Sequence, residues 1–130
     1  MESRVELAKK LHASRYSCSQ AVYCAFCDVA GVTEEQAKRE AAPYSGGAKV
    51  KCGAVMAAEM VLSVKAKEQG LDETALIGEL EKHFQEKNTT VVCRELRGEK
   101  GKPRLRTCRG CVEDAAEILE QMLEKLEEFS

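Results

Sequence analysis

A chain of 130 residues is long enough for one domain and too short for two ordinary ones, which predicts a single helical domain over 1–130. Apolar residues make up 44% and charged residues 32%, which excludes a wholly disordered chain. The net charge of −2 gives no global reason to expect nucleic acid or an anionic membrane as partner. Seven cysteines are too few for a disulfide-stapled scaffold and too many to be incidental.

The first residues, Met1 to Lys10, contain no apolar run and no cleavage site, so no signal peptide is expected. Val5, Ala8, Leu11 and His12 recur at helical spacing and predict a first helix over 2–13. Ser17 and Gln20 form a capping box that opens a second helix, expected to run to about Ala30 and stop at Gly31. Thr33 and Gln36 form another capping box, whose short helix Pro43 ends. Residues 44–51 read as a glycine-bearing loop holding Gly46 and Gly47.

A helix over about 53–69 is apolar on most of its faces and is therefore expected at the centre of the fold. Its apolar stretch, Ala54 to Val64, is broken by Glu59 and falls far short of the roughly twenty residues a spanning helix needs. The protein is thus expected to be cytoplasmic, with reduced thiols and no membrane insertion. Gly70 stops this helix and Asp72 caps the next, where Ile77, Leu80 and Phe84 share a face. Thr90 is the expected cap of a short helix over 91–97, and Val91-Val92 is the one β-branched pair that argues otherwise. A basic loop over 98–107 follows. The last helix is expected from about Gly110 to Glu128, with Val112, Ala115, Leu119, Met122, Leu126 and Phe129 on its apolar stripe. The fold class is all-α: a compact bundle of about five to seven helices.

On this map Cys18, Cys52, Cys93, Cys108 and Cys111 fall at helix starts, while Cys24 and Cys27 fall inside the second helix. A helix start carries partial positive charge and unpaired N–H groups, both of which stabilise a thiolate. From Arg94 to Arg109 seven bases face two acids, and from Glu113 to Ser130 seven acids face one lysine. Arg94, Arg97, Arg104, Arg106 and Arg109 are therefore expected to add positive charge near Cys93 and Cys108. Cys24 and Cys27 lie too far apart on a regular helix for a disulfide and are expected to be core residues. Cys108 and Cys111 form a better-placed C-x-x-C at a helix start, without the βαβ context such a motif usually needs.

Four blocks taken in order carry a resemblance. They are Cys18-Ser19-Gln20-Ala21-Val22; Gly46-Gly47 followed by Cys52-Gly53-Ala54-Val55; Cys93-Arg94-Glu95-Leu96; and Cys108 with Val112 and Asp114-Ala115-Ala116-Glu117. Together they resemble the C_GCAxxG_C_C family over about residues 15–125. The family is described as redox-active, with four shared cysteines and a CGAxxG motif. By position those four are Cys18, Cys52, Cys93 and Cys108, which leaves Cys24, Cys27 and Cys111 as extras. The motif's last glycine is Ala57 here. The resemblance also implies a link to a transporter, since family members often lie beside transporter genes.

Other signals carry less. The loop Gly46-Gly47-Ala48-Lys49 lacks P-loop spacing. His12 and His83 are isolated and read as surface or half-buried residues. The basic loop has no interleaved aromatics, so nucleic acid is not expected. The leading reading is a thiol redox protein in which Cys18, Cys52, Cys93 and Cys108 are the catalytic candidates and an external redox partner supplies or takes electrons. Cys52, beside Lys49 and Lys51, is the first choice for a low-pKa thiol. The alternative is a metal site with the same four cysteines as ligands to zinc or an iron–sulfur cluster. A third reading is a non-catalytic helical interaction module with no cofactor.

Overall fold

The computed structural model describes residues 3–45, 50–99 and 101–128. They form seven α-helices: α1 (Arg4–Ala13), α2 (Cys18–Ala25), α3 (Glu34–Ala41), α4 (Gly53–Gln69), α5 (Glu73–Asn88), α6 (Cys93–Arg97) and α7 (Cys108–Glu128). A single 3-10 turn, Ala42–Tyr44, carries Pro43 directly after α3. Among the described residues there is no strand, and the fold is all-α as expected. No helix among them is long and apolar enough to cross a membrane.

The central position of α4 follows from its composition. Ala54, Val55, Ala57, Ala58, Val61 and Leu62 are all fully buried, and the helix packs against α2, α5 and α7. The alanines let neighbouring helices approach closely, while the valines and Leu62 supply buried apolar area. Ala57, where the family motif has glycine, lies wholly within this core, so its methyl group is accommodated. The stripe on α7 is also realised. Val112, Ala115, Leu119 and Met122 are buried and Leu126 is half-buried; Phe129 lies outside the described residues. Leu80 and Phe84 of α5 close the core from the other side. The Ser17 and Thr33 capping boxes form with both reciprocal hydrogen bonds, and Asp72 caps α5 by accepting from the Ala75 N–H.

Three boundaries differ from expectation, the first two through a partner distant in sequence and the third through a local cap. Helix α2 ends at Ala25 rather than near Ala30. Arg4 of α1 donates to the Ala25 carbonyl at 3.0 Å, grips Asp28 with two hydrogen bonds and lies over the Phe26 ring. That tertiary cap turns the chain, so Cys27 sits in the turn beyond the helix and not inside it. Helix α6 begins at Cys93, and Thr90 does not cap it. Val91-Val92 is instead extended, and Val92 pairs antiparallel with Lys51 in an isolated bridge. Helix α7 begins at Cys108, two residues before the expected Gly110. Thr107 accounts for this: its hydroxyl accepts the Gly110 N–H and its carbonyl accepts the Cys111 N–H.

The acid within α4 is also satisfied. Glu59 is buried, and its carboxyl hydrogen-bonds Glu81 of α5. The Lys51 ammonium meets both, at 3.3 Å and 2.5 Å. Burial and the neighbouring Glu81 push the Glu59 carboxyl up to about 8, whereas Glu81, which accepts the Glu59 proton, is held below its ordinary value. Between the ordinary glutamate value and about 8 the folded state therefore binds more protons at Glu59 than the unfolded state. That contribution to stability is complete below the ordinary value and lost as pH rises through about 8. The expected outcome is a decline in urea-unfolding stability from mildly acidic to mildly alkaline pH that Glu59→Gln flattens, because the amide keeps donating to Glu81 without titrating. An unchanged slope in that variant would show that Glu59 is ionised throughout.

Candidate functional site

The backbone brings the family cysteines together before any side chain does. In the Lys51–Val92 bridge the Cys52 N–H donates to the Val91 carbonyl at 2.7 Å, and the Cys93 N–H donates to the Val50 carbonyl at 3.1 Å. The starts of α4 and α6 are thereby tied side by side. Cys52 is the N-cap of α4 and Cys93 is the first residue of α6.

Gly53 sets the distance to the next element. A Cβ on Gly53 would lie 2.6 Å from the Cys18 Sγ and 2.6 Å from the Tyr44 carbonyl oxygen. Only a residue without a side chain lets the start of α4 press against the start of α2. Cys18 follows the Ser17 cap, and the fully buried Ser19 next to it donates to the Ala41 carbonyl at 2.7 Å, which anchors this end of α2. Helix α7 completes the cluster with Cys108 and Cys111. None of the seven cysteines is in a disulfide.

The thiols are organised as two donor–acceptor pairs. Cys111 donates to Cys52, and Cys108 donates to Cys18. The Cys52 thiol is held below its ordinary value by the Cys111 hydrogen bond, and the N–H groups of Val55 and Ala54 add to that against the opposing effect of burial. Cys111 is pushed up, first by donating to Cys52 and then by burial. Cys108 is likewise pushed up, first by its bond to Cys18 and then by burial and by the negative charge of neighbouring thiolates. Cys93 is raised by burial, and the pull of Arg97 does not offset it.

These observations correct several expectations. Lys51 is not what lowers the Cys52 value. Lys51 points to Glu59 and Glu81, and Lys49, like Gly46 and Gly47, lies outside the described residues. Cys108 and Cys93 gain no lowered value from being at helix starts; Cys108 acts as a donor, and α6 has only five residues. Arg106 is engaged elsewhere, in a two-pronged pair with Asp114 at 3.0 and 3.2 Å, where Asn88 also donates. Cys108 and Cys111 do not pair with each other; each turns to a thiol on another helix.

Two participants were missed from sequence. Cys111, counted as an extra, is the hydrogen-bond partner of Cys52; its signal was the C-x-x-C spacing that puts it one helical turn after Cys108. His12, counted as isolated, has its Nε2 at 3.7 Å from the Cys108 Sγ, across 96 positions of sequence that no local pattern links. Cys24, in contrast, behaves as a packing residue. It is buried, donates to the Glu34 carbonyl at 3.6 Å and is pushed up to about 11, chiefly by burial. Cys27 is half-buried against the core and also raised by burial.

Among the described residues no group of three or more His, Cys, Asp or Glu side chains is placed to hold one metal ion. The sulfurs stand as hydrogen-bonded pairs, an arrangement suited to forming and breaking S–S bonds between helices.

Gly53→Ala tests how this geometry is set. The added methyl group must displace the Tyr44 backbone or the Cys18 sulfur, so the expected loss is about 1–3 kcal/mol in urea unfolding of the reduced protein. The Cys52 thiolate should also titrate higher. An alanine variant of wild-type stability and unchanged Cys52 titration would show that α2 and α4 are not held this closely.

No curated protein and no solved structure matches the chain. A family model described as "Putative redox-active protein (C_GCAxxG_C_C)" matches residues 16–122. That span includes Cys18, Cys52, Cys93 and Cys108, all of α2, α4 and α6 and most of α7, and the chain belongs to the C_GCAxxG_C_C family.

Proposed function

We propose that this protein is a thiol–disulfide redox protein of the cytoplasm, with Cys52 as the reactive thiolate and Cys18, Cys93 and Cys108 as the other members of its centre. The observation that carries the reading is the environment of Cys52. A sulfur at a helix N-cap, beside the Val55 and Ala54 N–H groups and a neighbouring thiol, is favoured as the thiolate that exchange chemistry requires. The contrast supports this reading: Cys24, Cys27, Cys93, Cys108 and Cys111 are all raised, and Cys52 alone of these six thiols is lowered. The family description supports redox activity in general and leaves the reaction to be assigned.

The test has two readouts on reduced, metal-free protein. The first follows thiolate ultraviolet absorbance against pH in the wild type and in Cys52→Ala. The wild type should retain a thiolate below the free-cysteine value of about 8.5, and the variant should lose it. The second equilibrates the protein across a glutathione redox series and counts alkylatable thiols by mass spectrometry, where reversible disulfide formation is expected. A Cys52 value at or above that of free cysteine, together with thiols that never oxidise reversibly, would overturn the proposal. Stoichiometric metal on anaerobically purified protein would favour the ligand role of Cys18, Cys52, Cys93 and Cys108 instead.

A further inference from the structure

The reactive thiolate and its hydrogen-bond partner are both sealed. Cys52 is 4% exposed and Cys111 is 2% exposed. A redox partner cannot reach either sulfur from outside, so electrons must pass through another thiol. Cys108 lies one helical turn before Cys111 on α7 and is exposed. It bonds Cys18, which is 7% exposed and packs against Gly53, the residue after Cys52. The sulfurs thus run inward in the order Cys108, Cys18, Cys52, Cys111. At the outer end His12 stands against Cys108 at 3.7 Å.

We infer that the centre is a two-stage dithiol relay: Cys108 with Cys18 forms the outer pair that meets the partner, and Cys52 with Cys111 forms the buried pair that stores the disulfide. The inference rests on the thiol-redox reading and assigns Cys111 a catalytic role beyond the four family positions.

The oxidant is an external disulfide, either of a small thiol or of a protein. Cys108 gives its proton to His12 Nε2 and attacks one sulfur of that disulfide. A mixed disulfide forms and the first external thiolate leaves, taking up a proton. Cys18 then attacks the Cys108 sulfur, and its proton goes to the second external sulfur, which leaves as thiol as Cys18–Cys108 closes. The external disulfide has gained two electrons and the outer pair has lost them. Next, the Cys52 thiolate attacks Cys18 and expels Cys108 as thiolate. Cys111 passes its proton to Cys108 and attacks Cys52, which expels Cys18 as thiolate. The net result is a Cys52–Cys111 disulfide and a reduced outer pair. The same steps reversed deliver electrons inward.

The experiment oxidises the reduced full-length protein with glutathione disulfide, quenches with acid at intervals, alkylates and maps the disulfides by peptide mass spectrometry. In the wild type, Cys18–Cys108 should appear first and Cys52–Cys111 should accumulate. In Cys111→Ser, or in Cys111→Ala if a buried hydroxyl impairs folding, oxidation should stop at Cys18–Cys108. In Cys108→Ser the inner disulfide should be lost over the time the wild type needs to complete it. His12→Gln should slow the first step roughly a hundredfold and leave the pairing unchanged. Inner-disulfide formation at the wild-type rate in Cys108→Ser would overturn the relay, as would a dominant Cys108–Cys111 or Cys18–Cys52 bond in the wild type. In either case reversible oxidation would still stand, so the relay can fail while the thiol-redox reading survives. Absence of all reversible oxidation would overturn both.

Discussion

The two backbone hydrogen bonds of the Lys51–Val92 bridge are the constraint on which the site depends. They hold the chain extended on both sides, so that α4 begins at Gly53 with Cys52 as its cap and α6 begins at Cys93. A chain that entered α4 one residue earlier or later would carry a different side chain to the cap. The N–H groups of the first turn of α4 would then lie beside another side chain. The same bridge turns Lys51 toward Glu59 and Glu81 and away from its sequence neighbour Cys52.

With the start of α4 fixed, packing decides the rest. Gly53 lets Cys18 come close, and α7, docked along α4 and α1, brings Cys108 and Cys111 to the same place. Hydrogen-bond donation then divides the thiols by role. An acceptor sulfur at a helix N-terminus is stabilised as thiolate, while the sulfur that donates to it is held protonated by that very bond. Helix position alone therefore does not fix reactivity here. Cys108 begins a helix of 21 residues and still keeps its proton, because Cys18 takes it as a hydrogen bond.

The basic loop shows the same division between local composition and tertiary use. Arg106 closes on Asp114, which also receives Asn88 at the end of α5, and the Leu105 and Arg106 N–H groups bond the Leu96 carbonyl. Part of the positive charge before α7 is thus matched by the acidic helix that follows, and it holds the start of α7 and the end of α6 in place. Gly110 makes room for this, since a Cβ there would meet the Arg106 guanidinium.

The sequence by itself determined the helical class, the central place of α4, the capping boxes at Ser17 and Thr33, the stripe of α7 and the family cysteines. Each of these rests on periodicity or on contacts within one turn of helix, which a linear pattern records. It also indicated that Cys24 is a packing residue and that Cys52 is the low-pKa thiol, which it assigned to the helix start together with the neighbouring lysines; the N–H groups of that helix start do contribute, and the Cys111 thiol is the larger cause. Tertiary structure alone decided that Arg4 ends α2 at Ala25, that Val92 bridges to Lys51, that Cys111 belongs to Cys52 and that His12 belongs to Cys108. Those partners lie between 21 and 96 positions apart in the sequence. No local propensity encodes such meetings; they exist because buried apolar faces force the helices together and leave the polar atoms at the helix ends to find one another.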